Sequence, residues 1–149
     1  MAFMRNKGLV TTHGLGSCVA ICIYDEQIKL GGLIHLMLPD SKLNKAKAEK
    51  NPLLFVDTGV EAFLAEFTAR GGNISRSVVK IAGGASSLMG EDLFHIGKRN
   101  AVNVRKLLWR HRLQIKSEDT GGTDSRTMIL DVTDGVVLVK VPGQNIRSL

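Results

Sequence analysis

Two apolar runs stand close together near the start of the chain, residues 18–24 (Cys-Val-Ala-Ile-Cys-Ile-Tyr) and residues 31–39 (Gly-Gly-Leu-Ile-His-Leu-Met-Leu-Pro). Both are rich in β-formers, and the polar break at residues 24–29 between them predicts an antiparallel hairpin. The first run is apolar at consecutive positions, so both of its faces belong against packed layers. Farther on the period changes. Val60, Phe63, Leu64 and Phe67 recur at i, i+3, i+4, i+7 and predict a helix over 57–70. Thr58 and Glu61 have capping-box spacing, and Gly71-Gly72 supplies the stop. A second helix is predicted over 97–111, with Ala101, Val104 and Leu108 inward, Lys98, Arg105, Lys106 and Arg110 outward, and Trp109 either partly in the core, the simpler reading, or an anchor for a partner.

Short β runs at 77–82, 113–118, 126–132 and 136–141 complete the pattern, with Thr133-Asp134-Gly135 as a tight-hairpin signal between the last two. The stretch after Pro142 is expected to fray. Residues 40–52, basic and sparsely apolar, read as a solvated loop or a flap that meets an acidic target. About seven strands and two helices without repeats predict one α/β (α+β) domain over residues 1–149.

Composition changes this picture little. Hydrophobic content of 44% and charged content of 23% are ordinary for a soluble domain. No apolar stretch is long enough to span a membrane, and the start lacks the apolar core of a signal peptide, so a cytoplasmic protein with no membrane insertion is expected. The two cysteines lie four positions apart in one predicted strand and are poor disulfide partners. Net charge is +6, which suits an acidic partner. No helix-turn-helix, zinc finger or aromatic-studded basic sheet accompanies it, so no nucleic-acid partner is expected. His95 and His111 have no spaced Cys, Asp or Glu set around them, and neither a metal nor an organic cofactor is expected.

The candidate chemistry sits where the first run meets the glycine-broken turn Gly14-Leu15-Gly16-Ser17-Cys18. If Tyr24 pairs with Lys29 across the hairpin, Cys18 falls directly opposite His35, within reach for an imidazole to take the thiol proton. Only the thiolate is a good nucleophile, and backbone N–H groups of the turn could face a developing oxyanion. The plainer alternative is a cysteine buried as packing. Cys22 fits that description, having no glycine turn beside it. His13 lies in the turn itself and is the lesser candidate for a base.

The run Thr12-His13-Gly14-Leu15-Gly16-Ser17-Cys18-Val19-Ala20, with His35 ahead of Met37-Leu38-Pro39, closely resembles the CheD family of chemoreceptor glutamine deamidases. Three later segments agree in order: Lys80-Ile81-Ala82-Gly83-Gly84-Ala85-Ser86, Ile96-Gly97-Lys98-Arg99-Asn100, and Glu118-Asp119-Thr120-Gly121-Gly122 followed by Arg126. The resemblance implies a two-sheet β-sandwich core flanked by helices, similar to the catalytic domain of cytotoxic necrotizing factor. It also implies Cys18 as nucleophile, His35 as base and acid, Thr12 as third member, and Gly16 and Ser17 as the oxyanion turn. Gly83, Gly84 and Ser86, within segment 83–87, would wall the groove where a partner docks.

The implied substrate is the chemoreceptor cytoplasmic domain, with a CheC-type phosphatase as a further partner and receptor methyl esters as a possible second substrate. Two departures from the family pattern stand out: its first strand is expected to be shortened here, and Phe55 stands where relatives carry tyrosine, ahead of Asp57. Two other classes remain open at this point: a non-enzymatic module that binds CheC, and a thiol redox sensor using Cys18 and Cys22.

Overall fold

A computed structural model of the chain describes residues 1–86 and 95–149. In chain order the elements are β1 (Ala2–Arg5), β2 (Leu9–Leu15), β3 (Val19–Asp25), β4 (Leu30–Leu36), α1 (Lys45–Lys50), α2 (Val56–Ala69), β5 (Val78–Gly83), α3 (Ile96–Arg110), β6 (Ile115–Thr120), β7 (Arg126–Asp131), β8 (Val137–Lys140) and β9 (Arg147–Ser148). One sheet has the order β1-β4-β3-β5-β6 and the other β2-β7-β8-β9. β3 lies at the centre of the first and is buried along its whole length, as its unbroken apolar run demands. Val19, Ile21 and Ile23 point into a core shared with Phe63 and Phe67 of α2 and Val104 and Leu108 of α3. Ala20, Cys22 and Tyr24 point the other way, into a second core with Val10, Met128, Leu130 and Val139 of the facing sheet. The architecture is therefore the expected sandwich, with helices over one outer face. No helix among the described residues is long and apolar enough to cross a membrane.

The hairpin register differs from the expected one by two residues. Asp25 pairs with Leu30, so the loop is 26–29 and Ala20, not Cys18, lies opposite His35. Asp25 is drawn into the strand because its enclosed carboxylate accepts from Arg76 Nε at 2.8 Å and Nη2 at 2.7 Å, and from the Asn73 N–H at 3.0 Å. A shift of two leaves every side chain on its face, so the site survives the change.

Four smaller expectations also change. The predicted capping box does not form: α2 starts after Phe55 without a side-chain cap, and Thr58 Oγ1 donates to the Pro52 carbonyl at 2.6 Å. Trp109 is 78% exposed rather than partly buried, because it stacks two turns beyond Val102 on the outer face of α3. Residues 40–52 are not a featureless loop. Asp40 and Asn44 cap a 3-10 turn and α1 in succession, and Asp57 anchors the segment by accepting from the Ser41 N–H at 2.9 Å and Oγ at 2.6 Å. Beyond Pro142 the chain returns as edge strand β9 beside β8.

Candidate active site

The site lies at the end of the inter-sheet space where β2 turns into β3. β2 belongs to the second sheet and β3 to the first, so the turn must carry the chain across the sandwich within a few residues. Gly14, with φ 67, makes that possible, and the Gly16 N–H closes back on the Gly14 carbonyl at 2.9 Å. The three carbonyls that follow are all taken from one side. Gly16 O accepts from the Ala85 N–H at 2.8 Å, Ser17 O from Asn100 Nδ2 at 2.8 Å, and Cys18 O from the Gly84 N–H at 2.7 Å. In a planar trans peptide the C=O and the next N–H point in opposite directions. The N–H groups of Ser17 and Cys18 are therefore turned the other way. Gly16 supplies the turn but not a donor, since its own N–H is engaged.

Cys18 is half-buried and packs against the inter-sheet core, on the face that also carries Ala20 and Cys22. Burial pushes its thiol above the usual range, and its own backbone N–H, facing the sulfur, offsets part of that. Cys22 is wholly buried and is pushed up to about 12 by the same desolvation, opposed weakly by Lys80.

His35 pairs with Ala20, one ladder step from Cys18 on the same face, so the two side chains are diagonal neighbours. Its Nδ1 is 2.9 Å from Thr12 Oγ1, a contact that crosses from one sheet to the other. Its Nε2 is buried and has no hydrogen-bond partner among the described residues. A buried N–H without an acceptor is the costlier of the two possible orphans, which assigns the proton to Nδ1, donating to Thr12, and leaves Nε2 a bare lone pair. Burial also holds His35 below the usual imidazole pKa, so the ring is neutral at pH 7. The rival His13 is exposed and rests on Thr127 Oγ1 at 3.3 Å, on the outside of the second sheet. Thiol, neutral imidazole and orienting hydroxyl thus share one end of the sandwich, an arrangement suited to acyl transfer.

The glycine-rich segment after β5 backs the cysteine turn. Gly83 and Gly84 are buried there, and the Gly84 N–H holds the Cys18 carbonyl. Gly83 has φ 112, and a Cβ there would collide with the Cys18 carbonyl oxygen. Ser86 is exposed and its N–H donates to the Gly122 carbonyl at 2.8 Å. Ser87 lies outside the described residues. The bend at Gly121 and Gly122 is held in turn by Arg126, which donates to Asp119 at 3.1 Å and to the Asp124 carbonyl at 2.8 Å. Burial alone would raise the Asp119 pKa, but Arg147 and Arg126 hold it below the usual carboxylate range. Asn100 is not recognisable in the sequence as a site residue: it stands in the segment Ile96-Gly97-Lys98-Arg99-Asn100, and nothing local says that its side chain reaches the cysteine turn.

Among the described residues no group of three or more His, Cys, Asp or Glu side chains converges as metal ligands would. A recess of about 550 Å³ beside Trp109, Arg110, Arg112 and Leu113 lies at the far end of α3 and holds no nucleophile–base pair.

Comparison with known proteins points the same way. A family model described as CheD chemotactic sensory transduction matches residues 37–141. A protein of Syntrophus aciditrophicus named "Probable chemoreceptor glutamine deamidase CheD 1" is 41% identical over 141 residues, covering 95% of this chain and 88% of that relative. A similarly named protein of Syntrophomonas wolfei is 46% identical over 141 residues, covering 93% and 86%. One from Caldanaerobacter subterraneus is 41% identical over 148 residues, covering 97% and 90%.

Proposed function

This chain belongs to the CheD family, and from that premise we propose that it deamidates glutamine side chains of chemoreceptors with Cys18, His35 and Thr12 as its catalytic set. His35 Nε2 takes the proton from Cys18 Sγ, and the sulfur attacks the carboxamide carbon. The oxyanion that forms is met by the N–H groups of Ser17 and Cys18. The imidazolium returns its proton to the leaving nitrogen, ammonia departs, and a thioester remains. His35 then deprotonates a water that attacks the thioester. The second tetrahedral intermediate expels the sulfur, which recovers its proton, and glutamate is released. Thr12 keeps the ring in the tautomer that both halves need. Its part parallels that of a triad's third residue. The same acyl-enzyme would form from a receptor methyl ester with methanol as leaving group, so esterase chemistry is open to this site.

The observation that carries the reading is the His35 ring itself, hydrogen-bonded at Nδ1 across the sandwich, without a partner among the described residues at a buried Nε2, and one ladder step from the half-buried Cys18. A redox sensor is disfavoured by geometry. Four residues along a strand put Cys18 and Cys22 roughly 13 Å apart at about 3.3 Å per residue, well beyond disulfide reach. A CheC-type phosphatase would bind at the same end, over Ser86 and the exposed side of the cysteine turn, in competition with receptor.

Co-expression with a chemoreceptor cytoplasmic fragment tests the reading. Intact-mass spectra should show the amide-to-acid increment with the natural chain and none with Cys18→Ala or His35→Ala. An unchanged increment with Cys18→Ala would end the proposal.

A further inference from the structure

Asn100 lies in the second turn of α3 and is completely buried. Both of its amide hydrogens are used. One goes to the Ser17 carbonyl at 2.8 Å and the other to the Met37 carbonyl at 3.0 Å. These two carbonyls belong to segments far from Asn100 in sequence, and each adjoins a reacting group. Ser17 immediately precedes Cys18, and Met37 follows His35 by two residues. The pair Val19↔Leu36 ends the β3–β4 ladder, so beyond it the two segments have no mutual backbone bonds to hold them. Asn100 sits at that open end and ties one to the other.

We infer that Asn100 is a positioning residue of the deamidation site, clamping the peptide ahead of Cys18 and the end of the His35 strand in one geometry. The inference rests on the reading of Cys18 and His35 as nucleophile and base. The chemistry of the clamp selects this residue type. Two carbonyl acceptors require two donors, and one amide nitrogen provides both. A hydroxyl provides one, and an ionised carboxylate none. The amide orientation is fixed by the same logic, because the reverse would set Oδ1 against two carbonyl oxygens.

Oδ1 itself is buried without a partner among the described residues. A core position chosen for stability alone would be apolar, so the side chain is held at a cost for what its nitrogen does. The consequence reaches the reacting atoms through the peptide plane. Fixing Ser17 O on the α3 side fixes the Cys18 N–H on the opposite, sulfur side, where an oxyanion donor is needed. Packing of α3 supports the reach: a Cβ at Gly97 would collide with the Ala85 carbonyl, so the helix can approach the turn only with glycine there.

Three variants of the full chain test the clamp: Asn100→Ala, Asn100→Asp and, alongside, Cys18→Ala. The readouts are kcat and KM on a chemoreceptor cytoplasmic fragment, the rate of Cys18 alkylation by iodoacetamide, and the thermal midpoint. Asn100→Ala should lower kcat about 100-fold, the scale of losing one oxyanion donor. KM should stay within about threefold. In Asn100→Asp a protonated carboxyl still donates one hydrogen bond, whereas the carboxylate repels both carbonyls. Its kcat should therefore rise as pH is lowered, opposite to the natural chain, over a range in which near-ultraviolet circular dichroism stays constant.

Folded Asn100 variants with kcat within about threefold of the natural chain would overturn the inference. So would a loss of activity that only tracks the folded fraction, or a failure of both Asn100 variants to fold, since either makes the residue structural. An active Cys18→Ala protein would sink the nucleophile reading itself. A dead Cys18→Ala beside a fully active Asn100→Ala would sink the clamp alone.

Discussion

At the scale of single residues, the site rests on two shifted side chains whose shifts have the same cause. Burial raises the Cys18 thiol and lowers the His35 imidazole, so the resting pair is thiol and neutral imidazole rather than thiolate and imidazolium. The nucleophile is then generated by proton transfer during attack, and the signs can be worked out. Lowered below its ordinary value, His35 stays a base further into acid than free histidine, so the acid limb of kcat/KM should lie below the usual imidazole pKa of about 6.5. Direct alkylation by iodoacetamide needs thiolate, so the Cys18 rate should climb with pH to a midpoint above the reference thiol value of about 8.5. Cys22, pushed up to about 12 and wholly buried, should stay unlabelled while the protein is folded. A pH–rate profile of kcat/KM checks the first, and peptide mapping after timed labelling across a pH series checks the other two. Equal labelling of the two thiols, or a Cys18 midpoint below that of free cysteine, would contradict this account.

At the scale of elements, the parts of the fold legible in the sequence are those fixed by local periodicity. The apolar stripe Val60, Phe63, Leu64 and Phe67 foretells α2, and the unbroken run ahead of Tyr24 foretells a strand between two layers. Cys18, His35 and Thr12 are legible as types in a familiar order, and strand parity puts Cys18 and His35 on one face, but the reach of Thr12 from the facing sheet is not legible. What was not legible depends on distant partners. The hairpin register turns on Asp25, whose place in β3 is set by Arg76 and Asn73, about fifty residues on. Asn100 reaches the cysteine turn only once α3 packs against it, and Trp109 is exposed with Val102 on the outer face of α3.

The Asp25 cluster also carries a stability prediction at this scale. Burial by itself would raise the carboxyl pKa, but Arg76 and the backbone donors of Asn73 and Gln27 hold it below the usual range. Asp25→Ala leaves the backbone donors and the partly exposed Arg76 without their acceptor and should lower stability by about 2 kcal/mol, the scale of a hydrogen bond to a charged group. The lowered native pKa gives a stabilising contribution that is complete above the unfolded carboxyl value of about 3.9 and is lost as pH falls through the lower native value. Urea titrations at neutral and acid pH measure both effects. A variant with unchanged stability at pH 7 would show that the pair only breaks even.

At the scale of the whole molecule, charge is the property that local structure does not explain. The chain carries +6, and Lys42, Lys45 and Lys47 stand exposed on the capped segment that directly follows the His35 strand. Each turnover converts a neutral amide into a carboxylate, so the product is more acidic than the substrate at the point of contact. Toward an acidic receptor surface, exposed lysines beside the site would have two opposed effects: they would speed encounter, and they would hold the product longer than the substrate. Salt should slow association, because the Debye length falls from about 30 Å at 0.01 M to about 10 Å at 0.1 M. Where product release limits turnover, the same salt should raise kcat.

Reversing all three lysines to glutamate brings the formal net charge from +6 to zero. The change puts acidic side chains at the N-terminal turn of α1, where the helix dipole favours them, so the fold should tolerate it. The reversed protein should associate more slowly at low salt and lose most of its salt dependence, while single-turnover conversion of bound receptor stays unchanged. Stopped-flow association rates and single-turnover rates over a salt series separate the steps. A flat salt dependence in the natural chain, or equal association rates for the two proteins, would assign the lysines to solvation alone and leave receptor selection to the groove around Cys18.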